Sequence, residues 1–98
     1  MELDGACAIV TGGGRGIGRV TALQLALAGT RVVVVARSSN EIESVVTEIS
    51  LAGGTAVSRL ADVTNPDQVC QVASDAIDLY GGIDILVNNA GVAIHNPI

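Results

Sequence analysis

The 98-residue sequence predicts a single α/β domain: a parallel sheet with helices on both faces. Apolar β-branched runs alternate with segments of helical period along the whole chain. The core must be built from Val, Ile, Leu and Ala, because one tyrosine is the sole aromatic residue. Strands separated by helices cannot form hairpins, so they pair in parallel through right-handed crossovers.

The elements follow in order. Residues 6–11 (ACAIVT) form a short continuous apolar run, as expected of a strand buried on both faces. Beyond a run of glycines, Ile17, Val20, Leu23 and Leu27 recur at helical spacing until Gly29 stops the pattern. Residues 31–36 (RVVVVA) give the second strand. Ile42, Val45, Val46 and Ile49 mark the second helix, with Ser39 or Asn40 as N-cap and Gly53-Gly54 as the stop. A weaker third strand spans residues 55–61. Asn65-Pro66 then opens a third helix, with an N-cap followed by proline in the first helical position. Its apolar face carries Val69, Val72, Ala73, Ala76, Ile77 and Tyr80, Gly81-Gly82 end it, and residues 83–88 form strand four.

All five positive charges are arginines and there is no lysine, so chemistry that needs a lysine within these residues is excluded. The net charge of −5 argues against a nucleic-acid partner or an anionic membrane surface. Residues 1–40 nevertheless carry four arginines against Glu2 and Asp4, while residues 41–98 carry Arg59 against eight acids. An anionic ligand is therefore expected near the first forty residues. The first residues lack the basic start of a secretory signal, and no apolar run approaches the roughly 18 residues of a membrane span. These features lead to the expectation of a soluble, cytoplasmic protein. Cys7 and Cys70 lack metal-ligand or CxxC spacing and are expected to be two buried thiols; no metal site is expected.

The chemistry concentrates in Thr11-Gly12-Gly13-Gly14-Arg15-Gly16-Ile17-Gly18, between strand one and helix one. Positions without side chains let the backbone approach a pyrophosphate, and the helix N-terminus offers N–H donors and the positive end of its dipole. An ATP or GTP loop would read G-x-x-x-x-G-K-[ST]. From Gly13 the glycine spacing is met, but Arg19 and Val20 follow in place of the lysine and the hydroxyl. The strict G-x-G-x-x-G dinucleotide fingerprint fails as well, since Ile17 or Arg19 falls where the last glycine belongs. The pattern present is T-G-x-x-x-G-x-G.

That pattern resembles the glycine motif of the short-chain dehydrogenase/reductases. Asp62-Val63 after strand three is similar to the family's adenine-contacting pair, and Asn88-Asn89-Ala90-Gly91 after strand four matches its N-N-A-G motif. The resemblance covers essentially the whole chain. It implies a Rossmann-type sheet in the order 3-2-1-4, with residues 1–98 as the cofactor-binding amino-terminal half. The cofactor contacts implied are Gly12, Gly14, Arg15, Gly16, Ile17, Gly18, Arg37, Asp62, Val63, Asn89, Ala90 and Gly91. Plainer roles stay open: the glycines as a tight turn, Asp62 as a turn or capping carboxylate, the asparagines as turn formers, the arginines as solvated charges.

Charge argues for NADP(H) over NAD(H). NAD-preferring dehydrogenases place an acid at the end of strand two, where this chain has Ala36 followed by Arg37. A guanidinium fork suits a 2′-phosphate, and Arg15 can close on the same group. The family's Ser, Tyr and Lys would follow strand four, so no catalytic residue is assigned. Tyr80 has Asp84 rather than lysine four residues later and reads as a core or helix-end residue. His95 reads as a solvated loop residue, and Asn96 falls too early for the family's catalytic asparagine. The expectation is thus the binding half of a carbonyl or 3-oxoacyl-thioester reductase, since the sequence most resembles the amino-terminal half of the 3-oxoacyl carrier-protein reductases. It would be inactive alone and meet a small carbonyl substrate only with a further half. The alternative is a non-catalytic nucleotide-binding or interaction module, arising by truncation. In either case an apolar fourth-strand edge is expected to favour self-association.

Overall fold

The computed structural model describes residues 3–12 and 16–89. The elements are β1 (Cys7–Thr11), α1 (Gly16–Leu27), β2 (Arg31–Ala36), α2 (Ser39–Leu51), β3 (Thr55–Leu60), α3 (Pro66–Tyr80) and β4 (Ile85–Asn88). The four strands form one parallel sheet in the order β3-β2-β1-β4, the expected Rossmann-type arrangement.

The alternation of side chains across a strand explains why the central strands read as unbroken apolar runs. Val10, Val32 and Val34 face α1 and α2, where Ala22, Ala26, Ile42, Val45 and Ile49 cover them. Cys7, Ile9, Val33 and Val35 point the other way, toward Val72 and Ala76 of α3. β3 and β4 are the sheet edges and are correspondingly less buried.

The third helix has the ends its sequence announces. Asn65 caps it by accepting from the Asp67 and Gln68 N–H groups, and Gly81 closes it with a left-handed φ of 83°. In α2 the capping position falls on Ser38, one residue before the expected pair, and its side chain makes no capping bond.

The expected burial of Cys70 is corrected, and α1 packs through residues other than its large apolar ones. The stripe of large apolar residues on α1 is not its buried face: Ile17, Val20 and Leu27 are 77%, 52% and 70% exposed, while Gly18, Ala22 and Ala26 are buried. These three small residues recur every fourth position, and their size lets the helix approach the sheet closely. Cys70 is likewise exposed, because it lies on the outer face of α3; only Cys7 is a buried thiol, and burial raises its pKa.

At the amino ends of the strands, Arg31 gathers three segments. One terminal nitrogen donates to the Gly5 carbonyl at 2.7 Å and the Tyr80 carbonyl at 3.1 Å. The guanidinium carbon also lies 5.0 Å from the centroid of the Tyr80 ring, a cation–π distance. Tyr80 packs against the α3-side core, as expected of a helix-end residue.

Gly29, which ends α1, has a φ of 92° and a Cβ there would stand 2.6 Å from an Asp4 carboxylate oxygen and 3.1 Å from the Asp4 Cα. Gly29→Ala is therefore expected to destabilise the fold by about 1–3 kcal/mol through left-handed strain and displacement of the Asp4 turn. Urea denaturation checks this; a change below about 0.5 kcal/mol contradicts it.

Candidate functional site

Every strand delivers its candidate residues at the same edge of the sheet. From β3 to β4 the strand ends carry Asp62-Val63, Arg37, the glycine segment and Asn88-Asn89, a row about 14 Å across at ordinary inter-strand spacing. The chain moves outward from β1 to β2 and β3, then crosses back so that β4 lies on the other side of β1. Ligands of open α/β sheets bind at such a reversal, outside the carboxyl ends of the strands.

Gly12 leaves β1 with a φ of 64°, and its N–H donates to the Val35 carbonyl at 2.8 Å. Gly16 opens α1 with a φ of 61°, and no atom lies within 4 Å of where its Cβ would be. Helix α1 thus begins with open space beside the Gly16 backbone, where the first-turn N–H groups lack intrahelical partners. Ile17 is exposed beside it, whereas Gly18 is buried and serves the packing of α1 on the sheet. Gly14 and Arg15 lie outside the described residues, as do Ala90 and Gly91.

Arg37 is exposed, one residue beyond β2. β2 and β3 run in register to Ala36 and Leu60, and the Ala61 N–H continues the ladder to the Ala36 carbonyl at 3.0 Å. The loops carrying Arg37 and Asp62 are therefore neighbours. Asp62 accepts on Oδ1 from the Thr64 N–H at 2.9 Å and from the Thr64 hydroxyl at 2.6 Å. Both donations hold its carboxyl below the usual carboxylate range, and the Arg37 guanidinium adds a smaller attraction. Arg19 has a different occupation: it pairs with Glu48 and so fastens α1 to α2.

On the other side of β1, the Thr11 hydroxyl donates to Asn88 Oδ1 at 2.8 Å. The Asn89 N–H in turn donates to the Thr11 hydroxyl and to the Thr11 carbonyl, each at 3.2 Å. Thr11 thereby ties the glycine segment to the asparagine pair. It opens the glycine motif and yet was not among the expected contacts; its position as the last β1 residue was the available signal. Below this end, a cleft of about 220 Å³ runs between α3 and β4, lined by Ile9, Val35, Val63, Val72, Leu86 and Asn88 among others. Among the described residues no helix is long and apolar enough to cross a membrane.

A family model described as short chain dehydrogenase matches residues 6–98. Among curated relatives, the 3-oxoacyl-[acyl-carrier-protein] reductase of a Synechocystis species is 49% identical over 86 residues, covering 87% of this chain and 35% of that protein. The 7alpha-hydroxysteroid dehydrogenase of Escherichia coli strain K12 is 44% identical over 91 residues, covering 93% and 36%. The crystal structure of a hydroxysteroid dehydrogenase from Escherichia coli superposes with a TM-score of 0.89 at 44% identity, covering 93% of this chain and 39% of that one. A metagenomic short-chain oxidoreductase crystallised in complex with NADP gives 0.88 at 41% identity, covering 94% and 42%. The chain spans about a third of the length of these curated relatives.

Proposed function

The chain belongs to the short chain dehydrogenase family, and from that premise we propose that it is the NADP(H)-binding amino-terminal half of a cytoplasmic oxidoreductase that reduces a carbonyl, of the 3-oxoacyl-thioester kind. The observation that carries this reading is the row of strand ends, in which the glycine-rich chain after β1, the exposed Arg37 after β2 and the Asp62 carboxylate held by Thr64 after β3 follow one another across the sheet. The residues fit a dinucleotide phosphate: Gly12 and Gly16 have left-handed φ, open space lies beside Gly16 at the start of α1, and the exposed Arg37 follows a strand that ends in Ala36 rather than an acid.

In this reading Gly12, Gly14, Gly16 and the first turn of α1 hold the pyrophosphate, with Ile17 exposed beside it. Arg37 and Arg15 hold the 2′-phosphate, Asp62 and Val63 address the adenine, and Asn89, Ala90 and Gly91 border the ribose next to the nicotinamide. The bound cofactor supplies the hydride. The residues of this chain position it and exclude competing orientations; the groups that protonate a reduced carbonyl belong to the further half.

Support for a further half comes from apolar surface at the β4 side. Leu86 is 66% exposed, Ile83 and the α3 residues Val69 and Ile77 are exposed as well, and among the described residues β4 has a neighbour on one side only. Such an edge suits another strand and its helix. The same surface favours a second reading, a non-catalytic nucleotide-binding module that self-associates through β4.

Titrating NADPH and NADH into the 98-residue protein, followed by a panel of small ketones and 3-oxoacyl thioesters, tests both readings. Saturable NADPH binding, tighter than NADH and without turnover, is the expected result. Absence of binding overturns the assignment of the site, and turnover overturns the division into halves. Concentration-dependent dimers in sedimentation decide for self-association.

A further inference from the structure

Among the described residues, one face of the sheet carries a single helix, α3. Strands lie about 4.8 Å apart and packed helices about 8–10 Å apart, so one helix spans two strands. α3 covers β1 and β2, where Cys7, Ile9, Val33 and Val35 meet Val72 and Ala76. β4 is left over. Leu86 stands in register with Ile9 and so points to the same side, while Val87 turns to the opposite core. There Leu86 is exposed and lines the cleft between α3 and β4. α3 offers a matching side: Val69, Ala73 and Ile77 recur every fourth residue beside the buried Val72 and Ala76, and Val69 and Ala73 line the same cleft. Asp75 marks the other side of the helix, since it reaches back to Arg59 on β3. The α3 stripe and Leu86 thus form an apolar groove of the width that one further helix fills.

Charge selects the occupant. Residues 60–98 contain five aspartates and neither lysine nor arginine. Arg59, the nearest cation in the chain, is taken by Asp75 at 3.0 Å. Asp67 and Asp78 lie about three helical turns apart and so share one line along α3, beyond the apolar stripe. No cation among the described residues pairs with either of them. A helix with an uncharged or acidic rim would leave these carboxylates at the border of the groove without a counter-ion. One with lysines or arginines beside its apolar face matches both features, because their long stems follow apolar surface and carry the charge to the rim. Two copies of this face would set aspartate against aspartate, which argues against a second copy of the chain. We propose that the groove between α3 and β4 is a docking surface for a basic amphipathic helix, seated beside α3 over Leu86 with its cations at Asp67 and Asp78. The inference is independent of which nucleotide the strand ends bind.

The test uses two peptides of about eighteen residues, long enough to form a helix, that share a leucine and alanine face and differ in a lysine or a glutamate rim. Binding to the full 98-residue chain is followed by fluorescence anisotropy at low and high salt, with thermal melts of every variant. The lysine peptide is expected to bind saturably and about tenfold or more tighter than the glutamate peptide at low salt, with the gap narrowing at high salt. Asp67→Asn combined with Asp78→Asn should weaken the lysine peptide by about threefold or more, and Leu86→Gln should weaken it as well. Glu41→Gln combined with Glu43→Gln removes the same charge from α2, on the opposite face of the sheet, and should leave binding unchanged. Equal affinity for the two peptides, or equal losses from the α3 and α2 substitutions, overturns the proposal, since general attraction to an acidic protein would do the same. Unchanged affinity in Leu86→Gln overturns it too, as does binding of neither peptide. A dimer in sedimentation that shuts out both peptides gives the groove to a second copy and overturns it likewise. NADPH affinity, measured alongside, reports on the strand ends separately.

Discussion

Replacing Arg37 by aspartate is expected to lower NADPH affinity by about tenfold to a hundredfold and to turn the preference toward NADH. Arg37 is exposed at the end of β2, and the residue before it is Ala36, so no carboxylate neutralises it from that strand. Charge-assisted hydrogen bonds to a phosphate contribute about 1.5–3 kcal/mol, which sets the size of the loss. The new carboxylate would stand near Asp62, whose own charge is retained by Thr64. Two negative groups would then face a dianion, while ribose hydroxyls gain an acceptor. Arg37→Ala separates the two effects, since it should weaken NADPH without improving NADH. Calorimetric titration of both cofactors checks the result. An Arg37→Asp protein with its preference unchanged would falsify the charge argument.

Ile49→Ala is expected to destabilise the domain by about 2–5 kcal/mol, a large share of the roughly 5–15 kcal/mol available to a domain. Ile49 is 1% exposed and packs in the core shared by α1, α2, β1 and β2. Its surroundings are tight: a Cβ on Gly54 would stand 2.8 Å from Ile49 Cγ2 and 3.2 Å from the Ala26 Cβ. The small α1 residues that allow this approach leave little that can move into the space a truncated side chain vacates. Ile49→Val removes one methylene and should cost about 0.5–1.5 kcal/mol. Urea midpoints with an unchanged slope measure both; a loss under 1 kcal/mol for Ile49→Ala would show that the core collapses around the gap, at odds with about 24 cal/mol per Å³ of retained cavity.

The order of elements was legible because each carries its own signal. The valine run of β2, the Asn65-Pro66 opening of α3 and the glycines that end all three helices need no tertiary information. The inward face of α1 was not legible in the same way. Periodicity weighs large apolar residues most, and here Ile17, Val20 and Leu27 point outward while Gly18, Ala22 and Ala26 set the distance to the sheet. The same limit applied to Cys70, whose thiol resembles a small hydrophobe in sequence and stands on the open side of α3. The residues on the strand ends were visible through their motifs. Thr11 and Thr64 were not, because their parts depend on which backbone groups the loops bring within reach, and spacing alone carries no record of that.

The bonds between Thr11 and Asn88, and between Cys7 and Asp84, join residues 77 positions apart. Everything from β1 to β3 can assemble from neighbours in the chain, but β1 gains its second partner only when β4 arrives from the far end. Loop-closure entropy puts that step after the pairing of β1, β2 and β3, and during synthesis β4 emerges after those three strands. Among the described strands, the pairing of β1 with β4 is therefore the late one: a chain halted before β4 would carry Gly12, Arg37 and Asp62 and still lack the asparagine pair that closes the row.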